Sequence, residues 1–209
     1  MKIDRLILGE YETNCYILRD SKAAKNCLII DTGLQAQELI DFLHRHKLNP
    51  VAVVLTHGHV DHTNGLALLR AKFPNIQVYI HRSDAEMLTG TENNLSTLTS
   101  LQSNSQPADI LIEEGNTIKE AGIRLEVLHT PGHTPGGISL YSRDEGIVFV
   151  GDTLFAGSVG RADLGGNMTQ LIKSIREKLL TLPEETIVYP GHGPITTIAQ
   201  EKANNPFLQ

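Results

Sequence analysis

The chain has 209 residues, of which 40% are hydrophobic and 20% are charged, a composition typical of a globular domain with one sizeable core. Its formal net charge of −6 argues against a nucleic-acid-binding face, which is built from clustered Lys and Arg. The sequence has no apolar run long enough for a membrane-spanning helix and no signal-peptide pattern at its start. We therefore expect a single cytoplasmic domain over residues 1–209 with no membrane or nucleic-acid partner.

Short apolar runs alternate with segments of helical periodicity along the chain. In chain order, the predicted elements are strands at residues 3–8, 15–18 and 27–30, a helix at 35–47, a strand at 51–55, a helix at 66–72, strands at 77–80, 110–112, 123–128, 138–141 and 147–150, a helix at 168–180, a strand at 187–189 and a short helix at 196–203. Strands and helices at these spacings predict two packed sheets with helices outside.

Two further features bear on fold and compartment. Residues 91–106, TENNLSTLTSLQSNSQ, are polar and are typical of either a mobile surface loop or a lid over a site. Cys15 and Cys27 lie among apolar neighbours, which favours buried free thiols over a disulfide or a catalytic thiol.

Four segments rich in His, Asp and Gly each follow a predicted strand. They read THGHVDH at 56–62, HTPGHTPGG at 129–137, GDT at 151–153 and PGHGP at 190–194. Their glycines and prolines force tight turns, and ligands usually bind at the carboxyl ends of strands in α/β sheets. If these ends meet, five His and two Asp converge, namely His57, His59, His62, His133, His192, Asp61 and Asp152. Imidazole and carboxylate groups are ligands for Zn²⁺, Mn²⁺ or Fe²⁺, so the segments predict a metal site.

The first segment alone carries four candidate ligands. Side chains alternate between opposite sides of an extended chain. An extended loop would therefore direct His57, His59 and Asp61 one way and His62 the other, so that one loop could serve two adjacent metal ions.

Together the four motifs resemble the metallo-β-lactamase superfamily, and the match runs from the DTG at 31–33 to the NPF at 205–207. The resemblance implies an α+β fold, a four-layer αβ/βα sandwich of two mixed β-sheets flanked by helices. It also implies that Asp152 bridges two divalent metal ions. The implied ligands are His57, His59 and His133 for the first ion, and Asp61, His62 and His192 for the second.

The residue at the bridging position indicates a branch of the superfamily. Class B β-lactamases typically carry Cys where this chain has Asp152, and the stretch GDTLFAGSVGRAD at 151–163 resembles the glyoxalase II-like, or hydroxyacylglutathione hydrolase-like, enzymes. This resemblance implies a binuclear hydrolase, with Zn²⁺ expected first and Fe or Mn as alternatives. A metal-bridged hydroxide would attack the carbonyl of a small-molecule thioester, S-lactoylglutathione or another acyl thioester. Asp61 would ligate and orient the hydroxide, so Asp61 and Asp152 are the catalytic candidates.

The carboxyl-terminal end departs from this pattern. Longer glyoxalase II enzymes grip glutathione with basic residues of a helical extension, whereas Lys202 is the sole Lys or Arg after His192. The glutathione anchor is therefore absent or comes from elsewhere. Arg161 is expected to form an ion pair with Asp163 that holds the loop, and the alternative is a contact between Arg161 and a substrate carboxylate. Ser158 is a further candidate substrate contact.

A second function from a different class stays open. Mononuclear iron persulfide dioxygenases of the same superfamily use two His and one Asp, here His57, His133 and Asp152, and the GRAD at 160–163 resembles their loop. The intact ligands of the second metal favour the hydrolase. A member of the nuclease branch is disfavoured by the acidic charge balance.

Other polar residues near the motifs have simpler interpretations. Asp31 either fixes a ligand imidazole or caps a turn at a strand end. His129 is expected to pack at a strand end, His81 to lie on the surface or in a lid, and His44 and His46 to be solvated on a helix. The sequence specifies neither the oligomeric state nor the acyl group.

Overall fold

The computed structural model describes residues 1–34, 36–90, 94–96 and 105–209. One six-stranded mixed sheet follows chain order, with β1 to β3 antiparallel and β3 to β6 parallel. Its strands are β1 Lys2–Leu8, β2 Thr13–Arg19, β3 Asn26–Ile30, β4 Asn49–Val54, β5 Gln77–His81 and β6 Ile110–Ile112.

A second six-stranded sheet is built from the later part of the chain. Two short strands, β11 Leu154–Phe155 and β12 Ser158–Val159, pair with each other and lie outside this sheet. The strands of the second sheet are β7 Thr117–Glu120, β8 Ile123–His129, β9 Ile138–Ser142, β10 Ile147–Gly151, β13 Ile187–Pro190 and β14 Thr196–Thr197. The spatial order is β14-β13-β10-β9-β8-β7, and only β10 and β13 run parallel.

Helices cover the outer faces of both sheets. They are α1 Gln37–His46, α2 Val60–Thr63, α3 Leu66–Lys72, a 3₁₀ helix at Arg82–Leu88, α4 Met168–Ser174 continued by a π turn at Ile175–Leu179, and α5 Ile198–Asn204. None of the described helices is long and apolar enough to cross a membrane.

The core has three layers of apolar contacts, and β2 shows how the sequence makes them. Cys15 and Ile17 face the cluster beneath α1 and α3, whereas Tyr16 and Leu18 face the cluster between the two sheets. This alternation is the two-residue period of a strand buried on both faces. A third cluster packs the second sheet against α4 and α5. The result is the predicted four-layer αβ/βα sandwich.

The structure corrects several sequence predictions. β7, the short strands β11, β12 and β14, and the 3₁₀ helix were not predicted. His81 was expected on the surface or in a lid, but it is buried and its ring stacks on that of His129 with centroids 4.1 Å apart. Cys15 and Cys27 are buried free thiols, as predicted. Most of the segment at 91–106 lies outside the described residues.

Candidate metal centre

The seven predicted ligands come together where β4, β8, β10 and β13 end. They form three overlapping groups, and within each group the ligand atoms lie within 4.8 Å of one another. The groups are His57–His59–His133, His57–His62–Asp152 and Asp61–His62–His192. We call the first of these the tri-His group and the last the Asp-His-His group. Their role as metal ligands stays a prediction that the geometry supports.

Hydrogen bonds orient the imidazoles of the tri-His group. The Thr56 hydroxyl donates to Asp31 Oδ2 at 2.7 Å, so its lone pair is left to accept from His57 Nδ1 at 3.1 Å. His133 Nδ1 lies 2.7 Å from the carbonyl oxygen of Arg161, which can only accept. Both rings therefore carry the proton on Nδ1 and direct the Nε2 lone pair into the site. Neither Nε2 atom has a hydrogen-bond partner among the described residues, although both are buried.

The Asp-His-His group is oriented in the same way. His62 Nδ1 donates to Asp31 Oδ2 at 2.8 Å, and His192 Nδ1 donates to the carbonyl oxygen of Tyr11 at 2.8 Å. The two Nε2 atoms face each other at 3.2 Å, and Asp61 Oδ2 lies 3.2 Å from that of His192. Lone pairs and a carboxylate at these distances repel unless a proton or a cation lies between them.

Asp152 lies between the two groups. Its carboxylate oxygens are 3.6 Å from His133 Nε2, 3.3 Å from His62 Nε2 and 3.5 Å from His192 Nε2. Oδ1 is buried and has no hydrogen-bond partner among the described residues. This side chain therefore reaches both groups, as the bridging role requires.

The structure corrects the predicted conformation of the first ligand loop. The chain is extended only to His59, whose φ and ψ are −66° and 146°, and α2 begins at Val60. Helical geometry brings Asp61 and His62 into one group instead of placing them on opposite sides. Asp61 therefore does not accompany His57 and His59 as expected from an extended loop.

Asp31 fixes the ligand loop at its base. Besides contacting His62, it accepts the backbone N–H of Thr56 at 2.8 Å, and it adopts a left-handed φ of 55°. Of the two interpretations that the sequence left open, the structure therefore favours a carboxylate that holds a ligand imidazole.

The two ligand groups differ in the direction in which their imidazole pKa values are shifted. Burial lowers the pKa of His57 well below its usual range, and the imidazoles of His62 and His59 lower it further. Burial and the nearby His133 lower the pKa of His59 to about 3. These rings therefore stay neutral, which is the form of imidazole that binds metals.

In the Asp-His-His group the carboxylates dominate. Burial opposes the charge on His192, yet Asp152 and Asp61 raise its pKa to about 9. Burial likewise opposes ionisation of Asp152, but His62 and His192 hold its pKa well below the usual range. The protonated imidazole of His192 therefore neutralises part of the negative charge of the carboxylates. A divalent cation would take the place of the proton on His192 Nε2.

The donor set fits divalent metal ions. Oriented imidazole lone pairs and ionised carboxylates aimed at common points are the ligands that Zn²⁺, Fe²⁺ and Mn²⁺ take in proteins. His57, His59 and His133 would hold one ion, Asp61, His62 and His192 the other, and Asp152 would contact both.

Two cavities open onto the ligands. One, of about 520 Å³, touches both groups and has both polar and apolar side chains in its lining. The described lining residues of this cavity are Tyr11, His59, Asp61, Leu95, His133, Asp152, Phe155, Arg161, Leu164 and His192. The other, of about 660 Å³, reaches only His59 and His133 among the predicted ligands and extends over the 3₁₀ helix, where Glu86 lies.

Both candidate substrate contacts, Arg161 and Ser158, line one cavity, and Arg161 also lines the cavity that touches both ligand groups. Arg161 lines the cavity of about 520 Å³ and makes two hydrogen bonds to Asp163, at 3.0 and 2.9 Å. The cavity that Arg161 shares with Ser158 is also lined by Met168 and Phe207. The structure thus contains the expected ion pair between Arg161 and Asp163, both of whose side chains are 66% exposed.

Sequence reasoning missed several residues that orient the ligands. The carbonyl oxygens of Tyr11 and Arg161 are backbone groups, which no sequence signal identifies. Thr56 and Asp84 bond to the ligand loops through their side chains. Thr56 stands directly before the first ligand, which is the signal that could have identified it.

Comparison with known proteins supports the resemblance to the metallo-β-lactamase superfamily. A family model described as "Metallo-beta-lactamase superfamily" matches residues 8–192. The probable metallo-hydrolase YqgX of Bacillus subtilis is 40% identical over 210 residues, covering 100% of this chain and 98% of that protein. Hydroxyacylglutathione hydrolase GloC of Haemophilus influenzae is 36% identical over 220 residues, covering 100% and 98%.

Two solved structures share the whole architecture. The BLEG-1 B3 metallo-beta-lactamase has a TM-score of 0.93 and 41% identity and covers 100% of both chains. TTHA1623 in a di-iron-bound form has a TM-score of 0.86 and 35% identity, covering 98% of this chain and 100% of that one. The predicted metallo-β-lactamase fold is therefore confirmed, and the chain belongs to the metallo-β-lactamase superfamily.

Proposed function

We propose that the protein is a binuclear metal-dependent hydrolase of small-molecule acyl thioesters, with S-lactoylglutathione among its candidate substrates. The observation that carries the proposal is the position of Asp152, a carboxylate that is 11% exposed and lies within 3.6 Å of imidazole nitrogens from both ligand groups. The relative named hydroxyacylglutathione hydrolase supports the thioester. The net charge of −6 supports a small-molecule partner over nucleic acid.

The chain supplies the environment for hydrolysis. Divalent cations at such a site lower the pKa of coordinated water toward about 7 and polarise a carbonyl oxygen. Asp61 stays ionised because His62 and His192 lower its pKa against the effect of burial. Its Oδ2 atom can therefore accept a hydrogen bond from water and orient it. A thiolate is a good leaving group because thiols have low pKa values, so no proton donor is required.

One part of the cavity wall at the ligands is apolar and can contact an acyl group. Tyr11, Phe155 and Leu164 line the cavity of about 520 Å³ that touches both ligand groups. Among the described residues lining the two cavities at the ligands, Arg161 is the only Lys or Arg. Lys202, the sole cation after His192 in sequence, pairs with Glu184 at 3.1 Å. These observations support a substrate whose binding does not require several Lys or Arg side chains.

We propose Zn²⁺ as the first metal to test because neutral imidazole and carboxylate suit it well. The di-iron form of TTHA1623 keeps iron in consideration, and the same ligands accept manganese. Iron also keeps the second candidate function open, a persulfide dioxygenase that would use His57, His133 and Asp152. The name of BLEG-1 likewise requires that a β-lactam be tested.

A substrate panel with metal analysis on the same sample tests the proposal. We expect two metal ions per chain and hydrolysis of both S-lactoylglutathione and the matched S-lactoyl thioester of N-acetylcysteamine. The second substrate has the same acyl group but no thiol-side carboxylate. Because the guanidinium of Arg161 is exposed and already paired with Asp163, a further ion pair with a substrate carboxylate contributes little, and kcat/KM should differ by roughly fivefold or less.

Protein stripped with a chelator and then reloaded with each metal is the control, since activity must return with the ions. Iron at one per chain, with oxygen uptake on glutathione persulfide and no thioester cleavage, would refute the hydrolase. Cleavage confined to a β-lactam would refute the thioester assignment alone.

A further inference from the structure

A buried carboxylate outside the predicted ligand set lies against the tri-His group. Asp84, in the 3₁₀ helix, has 0% of its surface exposed. It accepts three hydrogen bonds, to Oδ2 from the Gly58 backbone N–H at 3.0 Å and the Thr134 hydroxyl at 2.7 Å, and to Oδ1 from the Gly136 backbone N–H at 2.6 Å. No Lys or Arg among the described residues forms an ion pair with it. Burying a carboxylate is costly in free energy, so its presence at this position needs an explanation.

The three donors belong to the two segments that carry the tri-His group. Gly58 lies between His57 and His59, and Thr134 directly follows His133. One side chain therefore holds the backbone beside all three imidazoles, across two segments that are far apart in sequence. The approach is close, since a Cβ on Gly136 would lie 2.6 Å from the Asp84 carboxyl carbon.

The other ligand group has a different carboxylate. Asp31 contacts the ring of His62 directly at Nδ1, whereas Asp84 contacts no ligand ring and acts only on the backbone and on Thr134. Asp31 also reaches the tri-His group through Thr56, whereas the hydrogen bonds of Asp84 go to the tri-His segments alone.

We propose that Asp84 is a positioning residue that sets the metal affinity of the tri-His group and leaves that of the Asp-His-His group nearly unchanged. The carboxylate fixes the relative positions of two ligand segments that no covalent link holds together. This inference concerns metal binding and does not depend on which substrate is cleaved.

The Asp84→Asn variant tests this role with little change in volume. An amide has one acceptor oxygen, so its NH₂ group must face at least one of the three donors. In a His192→Ala background, which disables the Asp-His-His group, we expect Zn²⁺ affinity to fall about 10- to 100-fold, as for other outer residues of metal sites. In a His133→Ala background, which disables the tri-His group, the change should be at most roughly threefold on the same scale. Competition with a chromophoric chelator measures both.

Glu201→Gln is the matched control. Glu201 is 1% exposed and also accepts three hydrogen bonds, from Thr196, Gly157 and Asn205, none of which is adjacent to a predicted ligand. This variant should lower the thermal midpoint of the metal-free protein comparably while leaving both affinities unchanged.

Equal weakening of both groups, or no weakening of either, by Asp84→Asn would overturn the proposal. If that variant does not fold, Thr134→Val, which removes one of the three donors, provides the test in the same two backgrounds. A smaller loss confined to the tri-His group would support the role, and unchanged affinity there would overturn it.

Discussion

Replacing Asp152 by alanine is expected to remove bound metal and hydrolytic activity together. The oxygens of the Asp152 carboxylate lie within 3.6 Å of imidazole nitrogens from both groups. The alanine variant therefore lacks a negatively charged ligand at both predicted metal positions. The effect on metal affinity should therefore exceed the 10- to 100-fold typical of residues that only orient ligands.

Metal content after gel filtration and thioester hydrolysis, measured on one preparation, test this expectation. Asp109→Ala is the control, because Asp109 is a carboxylate that bonds to Arg70 and to the Val78 backbone, remote from the ligand segments. The control should keep both metals and full activity. Activity that survives in Asp152→Ala would show that the bridging assignment is wrong.

Replacing Gly191 by alanine is expected to have the second-largest effect. A Cβ at this position would lie 2.2 Å from Asp152 Oδ1 and 2.7 Å from His62 Cε1, both well inside van der Waals contact. Because β10 and β13 are paired here, with the Gly191 N–H donating to the Gly151 carbonyl at 2.8 Å, the backbone cannot easily retreat. We expect a loss of about 1–3 kcal/mol in the free energy of unfolding, as in overpacked cores, together with weaker metal binding.

Gly146→Ala separates the clash from a general loss of stability. Gly146 has a φ of 63°, and a Cβ there would meet nothing within 4 Å. The left-handed backbone makes alanine cost about 1–2 kcal/mol at this position, which matches the expected destabilisation without touching the centre. Chemical denaturation and Zn²⁺ titration of the two variants provide the comparison. Equal metal affinity in both would contradict the proposed crowding at Gly191.

The sequence predicted most of the strands and the segments that meet at their ends, and the physical reasons are local. The strand β4 is an apolar run followed at once by glycines and histidines, so its end and its chemistry are both visible in the sequence. The same holds for β10 before Asp152 and for β13 before His192. The superfamily resemblance then supplied the pairing of these segments, which local patterns could not.

The errors arise where tertiary contacts override local pattern. Two residues past His57 the chain turns into α2, because the N–H groups of His62 and Thr63 bond to the carbonyl of His59, and alternation along an extended loop no longer applies. Asp84 lies outside the four Gly- and His-rich segments, and its three donors come from segments distant in sequence. Its role was therefore invisible in the sequence.

The predicted helix at 168–180 shows the limit of periodicity. Leu171, Ile175 and Leu179 are buried at intervals of four residues, which an α-helix of 3.6 residues per turn follows only with drift. The π turn at Ile175–Leu179 widens the helix and keeps these side chains on the core. A pattern over so short a segment cannot separate the two geometries.

Anomalous X-ray diffraction from crystals of protein purified without added metal tests the central claim most directly. We predict two anomalous scatterers. One should be bound by His57, His59 and His133, the other by Asp61, His62 and His192, with Asp152 in contact with both. Data at the zinc and iron absorption edges identify the element at each position. A single scatterer held by His57, His133 and Asp152, with the Asp-His-His group bare, would contradict the binuclear centre and favour the mononuclear oxygenase.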